Sequence, residues 1–63
     1  MEKKIKIKNC GSYWKLHKYV VYRTVDGDNW FYGAYDDVEK LNYVLREVPN
    51  ALFAETENCE AVW

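Results

Sequence analysis

The sequence predicts one α+β domain over residues 1–63, in which a small antiparallel β-sheet carries a single α-helix on one face. Three observations support this prediction: a hairpin signal in residues 19–35, an amphipathic helical segment in residues 36–48, and apolar stretches of strand composition before and after them. We expect three to five strands and the element order β-β-β-α-β.

Length and composition limit the size of the fold. The chain has 63 residues, of which 49% are hydrophobic, 17% aromatic and 30% charged, so we expect one small core. The two cysteines, Cys10 and Cys59, follow an N-terminus without an apolar run, which predicts a cytoplasmic protein with free thiols. No stretch has the length of a membrane span, so no membrane association is expected.

The first segment, residues 3–8, alternates lysine with isoleucine. A period of two places Ile5 and Ile7 on one face of a half-buried strand. The lysines occupy the other face and are expected to protect a sheet edge from pairing with other chains.

Residues 13–25 are too long and too apolar for a simple edge strand. Lys18 interrupts the alternation of side chains, and a β-bulge near it would exchange the two faces, but the sequence does not place a bulge within residues 13–25. A helix beginning at Ser12 is the competing interpretation of residues 13–18, but the β-branched run that follows favours a strand.

The hairpin turns at Asp26 and Gly27, which tolerate the positive φ of a tight turn. Pairing across a two-residue loop, or across a four-residue loop of 26–29, gives the same two faces. The first face holds Tyr19, Val21, Arg23, Trp30, Tyr32 and Ala34. The second holds Val20, Tyr22, Thr24, Phe31, Gly33 and Tyr35.

The helix is predicted over residues 36–48. Asp36 is the expected N-cap, with Glu39 three residues later in a capping-box arrangement. The apolar stripe that should face the sheet consists of Val38, Leu41, Val44, Leu45 and Val48. Pro49 is expected to end the helix.

Two short segments follow the helix. Residues 51–56 have strand composition, and Asn58 marks a turn. Residues 59–63 are expected to form a short strand or an ordered tail that ends in Trp63.

A helix of this length covers one face of a small sheet, so an apolar and aromatic face is expected to remain for a partner. The hypothesis is a protein interface, in a homodimer or with a target protein, because Tyr and Trp dominate binding hot spots. Its predicted residues are Tyr19, Val21, Arg23, Trp30 and Tyr32. The alternative is that Phe53, Trp63 and the first strand cover this face as core.

The charge distribution supports a second hypothesis. Seven of the nine basic residues lie in residues 1–25, whereas nine of the ten acidic residues follow Val25. Lysines near aromatic residues bind single-stranded nucleic acid by charge and base stacking. The predicted contacts are Lys4, Lys6, Lys8, Lys15 and Lys18. The net charge of −1 and the missing glycine-aromatic signature of RNA-recognition sheets oppose it. A third hypothesis is a structural subunit of a larger assembly.

No metal site, cofactor or enzymatic activity is predicted. Turn and cap chemistry explains the acids between Asp26 and Asp37. His17 is the only histidine, and the cysteines lack metal-ligand spacing. A glycine-rich phosphate loop and a nucleophile motif are also missing.

The segment WFYGAYDDVEKL, residues 30–41, resembles a pattern in small phage and prophage accessory proteins, where a strand with an aromatic-glycine pair runs into an acid-capped helix. The resemblance extends over residues 19–48. It implies a viral or mobile-element protein that acts in the host cytoplasm by binding and inhibiting or sequestering a host protein, such as a defence effector. Homodimers are frequent in that group.

Overall fold

The structure is a computed structural model that describes residues 4–11 and 14–62. It confirms an α+β fold, with five strands in one sheet and one α-helix. The elements are β1 (Ile5–Lys8), β2 (Tyr19–Val25), β3 (Asp28–Tyr35), α1 (Val38–Glu47), β4 (Ala51–Glu55) and β5 (Cys59–Val62), with 3₁₀ turns at Trp14–Leu16 and Thr56–Asn58. The strand order across the sheet is β4-β2-β3-β1-β5. The predictions for Lys3, Ser12, Tyr13 and Trp63 lie outside the described residues.

The hairpin of β2 and β3 forms around a two-residue loop, as predicted. Val25 pairs with Asp28, and Asp26 and Gly27 between them have φ values of 52° and 82°. Two consecutive positive φ values define a type I′ turn, whose twist matches that of the flanking strands. Local turn chemistry therefore determines where this hairpin reverses.

The sequence left the position of a β-bulge open, and the structure has one in β3 rather than in the segment around Lys18. The register shifts between Val21 and Tyr22, which pair with Gly33 and Phe31, so Tyr32 is the extra residue. Beyond the bulge the predicted faces are exchanged, and Gly33 rather than Tyr32 lies opposite Val21. A Cβ at Gly33 would lie 2.7 Å from the hydroxyl oxygen of Tyr35, so the Tyr35 side chain occupies the space that another residue would need.

The sheet is mixed, so the prediction of a purely antiparallel sheet is wrong. β1 lies between β3 and β5 and is parallel to both. Its lysines therefore do not protect an edge, although Ile5 and Ile7 contribute to the core as predicted. The element order also differs, because β5 adds a strand after β4. The pairing of β1 is non-local, and no local sequence signal specifies it.

One face of the sheet carries the main core. Its buried residues are Ile7, Cys10, Trp14, Val20, Tyr22 and Cys59. Trp14 enters from the 3₁₀ turn at Trp14–Leu16 and is only 5% exposed. Residues 14–16 are thus helical rather than part of a long strand, and the Trp14 side chain forms part of this core.

The helix α1 packs against β2, β3 and β4. Side chains alternate along β2, so Val21 lies on the other face of the sheet from the main core, which is the face that the helix covers. Val21 is 0% exposed. Leu41 is the buried residue of the helix, whereas Val38 is exposed despite its predicted core position. The middle of β2, at Val20, Val21 and Tyr22, is therefore buried on both faces, and the expectation that one face of the sheet stays uncovered is wrong there.

The N-cap of α1 is Asp37 rather than Asp36. The Asp37 carboxylate accepts a hydrogen bond from the Glu39 N–H at 2.9 Å. Asp36 is engaged elsewhere, because its carboxylate binds His17 and Lys18. The helix ends at Glu47, before Pro49, as the sequence predicts.

Candidate functional site

Two aromatic side chains lie exposed on the central strand of the sheet. Trp30 is 43% exposed and Tyr32 is 49% exposed, and they are two positions apart in β3. Trp30 pairs with Arg23 of β2 on one side and with Lys8 of β1 on the other. We call the group Lys8, Arg23, Asp28, Trp30 and Tyr32 the aromatic surface.

Lys8 connects the charged and aromatic parts of this surface. Its Nζ lies 5.5 Å from the centre of the Trp30 ring and 3.2 Å from the Asp28 carboxylate. Both charged side chains are exposed, so solvent weakens the ion pair and its main effect is to orient the lysine beside the indole.

Hydrogen bonds hold the turn end of the hairpin against β1. Thr24 Oγ1 donates to Asn29 Oδ1 at 2.7 Å, and Asn29 Nδ2 donates to the Lys6 carbonyl at 3.1 Å. From sequence, Thr24 was expected on the second face of the hairpin, and Asn29 was considered only as the end of a four-residue loop. These contacts show that Asn29 also supports the strand that presents Trp30.

Arg23 contributes an unsatisfied donor to the aromatic surface. Its Nε is the one buried side-chain nitrogen or oxygen in residues 4–11 and 14–62 without a hydrogen-bond partner. A buried donor without an acceptor costs about 1–3 kcal/mol, and more when it carries charge.

The predicted interface is only partly brought together. Arg23 and Trp30 are paired, and Tyr32 follows two positions later in β3, but Val21 is 0% exposed and is a core residue, not a contact. Tyr19 lies at the other end of β2, where its ring packs edge-on against Phe53 with centroids 6.2 Å apart. The bulge and the helix separate these residues. The sequence predicted the helix but not the face of the sheet that it covers, and it did not place the bulge.

The predicted nucleic-acid lysines divide between two places. Lys4, Lys15 and Lys18 line a cavity of about 580 Å³ beside the two 3₁₀ turns. The same cavity includes Trp14, His17, Tyr19, Glu55, Thr56, Glu57 and Cys59. Lys6 and Lys8 lie outside it on β1. The two glutamates reduce the positive potential of the cavity, so the five lysines do not form one basic surface.

One wall of this cavity is held by a network around His17 and Lys18. The His17 ring nitrogen Nδ1 lies 3.0 Å from Asp36 Oδ2, and the Lys18 N–H donates to Asp36 Oδ1 at 2.8 Å. Thr56 donates its hydroxyl to the His17 carbonyl and its N–H to the Lys18 carbonyl. The network ties the connection before β2 to the start of the helix.

The hydrogen bond from His17, with the N–H of Lys18, lowers the pKa of the Asp36 carboxyl. A carboxyl with a lowered folded-state pKa stabilises the protein above its unfolded pKa of about 3.9, and this contribution is lost as pH falls through the lowered value. We therefore expect the melting temperature of the wild-type protein to fall more steeply on acidification than that of Asp36→Asn. Thermal unfolding by circular dichroism at a series of pH values tests this, and parallel curves would contradict it.

The two thiols are free and buried in the main core. Burial raises the pKa of both Cys10 and Cys59, and the neighbouring Cys10 raises that of Cys59 further. Their S–H groups donate to the carbonyls of Ile7 and Glu55, each at 3.4 Å. A raised pKa opposes the thiolate form that nucleophilic or redox chemistry requires.

Comparisons with protein-family models, curated proteins and solved structures find no match to this chain. The resemblance of residues 30–41 to phage accessory proteins therefore stays a prediction. In the described part of the chain, three or more potential metal-ligating side chains do not cluster anywhere. None of the helices that the structure describes has the length and apolarity needed to traverse a bilayer.

Proposed function

We propose that this protein is a non-enzymatic binding protein that attaches to another protein through the aromatic surface. The observation that carries the proposal is the exposure of Trp30 and Tyr32 on the central strand of the sheet, whereas the middle of the neighbouring strand β2 is buried on both faces. Half-exposed Trp and Tyr side chains are common anchors of protein interfaces. They contribute large contact areas with few rotatable bonds.

The chemistry of the partner follows from the groups around the anchors. Arg23 pairs with Trp30 across the hairpin, and the Lys8 ammonium lies over the Trp30 ring, so two cationic residues flank the indole. We propose that the partner presents an apolar pocket for the indole with a carboxylate or carbonyl beside it for Arg23. In line with the resemblance to phage accessory proteins, the proposed partner is a host protein in the cytoplasm, which is inhibited or sequestered by occlusion.

The decisive experiment compares Trp30→Ala with Tyr43→Ala in affinity capture from host lysate. Tyr43 is the matched control, because it is an exposed aromatic residue on the helix, outside the aromatic surface. Truncation of a hot-spot residue costs about 2 kcal/mol or more, which weakens binding roughly thirtyfold. We expect a partner that wild type and Tyr43→Ala both retain and that Trp30→Ala loses.

The partner identified by mass spectrometry is then purified, and its activity is measured with and without this protein. Equal capture by folded Trp30→Ala would contradict the proposed surface. Retained activity of the saturated partner would contradict inhibition while leaving the binding result intact.

Binding of single-stranded nucleic acid is the second candidate. The observation that favours it is the grouping of Lys4, Lys15 and Lys18 with Trp14 and Tyr19 around one cavity. Contacts with phosphates weaken steeply as salt increases, whereas an aromatic protein interface responds little. Oligonucleotide titration at two salt concentrations therefore separates the two functions.

A further inference from the structure

The outer edge of the sheet at β4 lacks the features that usually prevent strand pairing. β4 is the first strand in the sheet order, and its only neighbour among the described strands is β2. The strand reads Ala-Leu-Phe-Ala-Glu and contains no lysine and no proline. Leu52 and Phe53 are each 48% exposed. Natural edge strands are commonly protected by such charges, prolines or coverings.

The register identifies which backbone groups of β4 are free. The Thr56 N–H donates to the Lys18 carbonyl at 2.9 Å, so Lys18 and Thr56 form a hydrogen-bonded pair of the antiparallel ladder. Such pairs alternate along an antiparallel ladder, and the next two in this register are Val20 with Ala54 and Tyr22 with Leu52. The N–H and C=O groups of Phe53 and the N–H of Glu55 consequently point away from β2, toward the free edge, whereas the Glu55 carbonyl accepts from the Cys59 thiol.

We propose that a second copy of this chain pairs antiparallel with this edge, with Phe53 opposite the partner's Phe53. In this register Leu52 lies opposite the partner's Ala54, so a large side chain meets a small one on one face. Phe53 meets an identical apolar ring on the other face. Glu55 lies opposite the partner's Ala51, and no like charges face each other.

Self-complementarity is the reason for choosing a second copy as the occupant. A two-fold axis through Phe53 pairs both edges at once, with about four backbone hydrogen bonds between the strands. The Ala51 N–H and the Glu55 carbonyl add none, because they already bond to Val48 and Cys59. A shift of the register by two residues would place Phe53 opposite the partner's Glu55 in one direction, or opposite the partner's Ala51 in the other, and would lose this match. The dimer joins two five-stranded sheets into one continuous sheet. The edge is separate from the aromatic surface, so the proposal does not rest on the proposed function.

Charge variants at Phe53 test both the edge and the register. Phe53→Lys and Phe53→Glu each place like charges opposite each other in the dimer, and each should weaken self-association about tenfold or more. An equimolar mixture of the two variants should restore a dimer, because opposite charges then face each other. Sedimentation velocity should report wild type at twice the 7.6 kDa chain mass and each variant alone near the chain mass.

A proline at residue 55 tests the backbone contribution separately. Glu55 has a φ of −67°, which is the value that proline requires, and its N–H points away from β2. Glu55→Pro should therefore keep the monomer folded and weaken dimerisation about tenfold, whereas Glu55→Ala should leave dimerisation unchanged. The proposal is overturned by a monomeric wild type, by a dimeric Glu55→Pro, or by a Phe53→Lys and Phe53→Glu mixture that stays monomeric. A wild-type monomer that pairs with a foreign strand would identify a different occupant.

Discussion

Replacing Trp14 with alanine is expected to remove most of the free energy of unfolding of this protein. The Trp14 side chain is 5% exposed and packs in the main core with Val20 and Tyr22. Truncating a buried Trp costs about 3–5 kcal/mol, through lost burial and the cavity left behind. A core in a chain this short rarely supplies more than about 3–5 kcal/mol in total, so Trp14→Ala should be largely unfolded.

The matched control is Trp30→Ala, which removes the same side chain from an exposed position. Trp30 is 43% exposed and contacts the Lys8 ammonium, so its loss should lower the free energy of unfolding by about 1 kcal/mol or less. Urea unfolding followed by far-UV circular dichroism measures both values. Equal stability of Trp14→Ala and wild type would contradict the placement of Trp14 in the core. If Trp30→Ala is folded, its loss of partner binding can be attributed to the missing indole rather than to unfolding.

Replacing Val21 with lysine is expected to prevent stable folding at neutral pH. Val21 is 0% exposed on the face that α1 covers, although the sequence analysis placed it in a partner interface. An ammonium group there loses its hydration without gaining a partner charge, which costs several kcal/mol, about as much as the whole domain supplies. An interface residue exposed on the monomer surface would accept the same change easily.

Val25→Lys is the control, because it makes the same substitution in the same strand at an exposed position. Val25 is 48% exposed and lies opposite Asp28, so a lysine there should change the free energy of unfolding by about 0.5 kcal/mol or less. A buried lysine has a lowered pKa in the folded state, so the unfolded state binds more protons and stability rises with pH. Val21→Lys should therefore regain stability in alkaline solution, relative to wild type, and Val25→Lys should not. Similar melting temperatures for the two variants at neutral pH would show that Val21 is accessible.

Different parts of the candidate site were predictable to different degrees. The exposed pair Trp30 and Tyr32 was predicted correctly as available surface, because a short chain cannot bury so many aromatic residues. Val21 was assigned wrongly, since strand alternation gives the face of a side chain but not what covers that face. The edge at β4 was missed, although the uncharged run from Ala51 to Ala54 is a signal for it in the sequence.

By itself the sequence determined the hairpin turn at Asp26 and Gly27, the helix that ends before Pro49, and the α+β class. These features depend on residues close together in the chain, where turn geometry, capping and periodicity act directly. Only the tertiary structure decided that β1 inserts parallel between β3 and β5, that Trp14 packs in the main core, and that the bulge falls at Tyr32. Each of these outcomes depends on contacts between distant segments, and close packing selects among strand arrangements that local preferences leave nearly equal in energy.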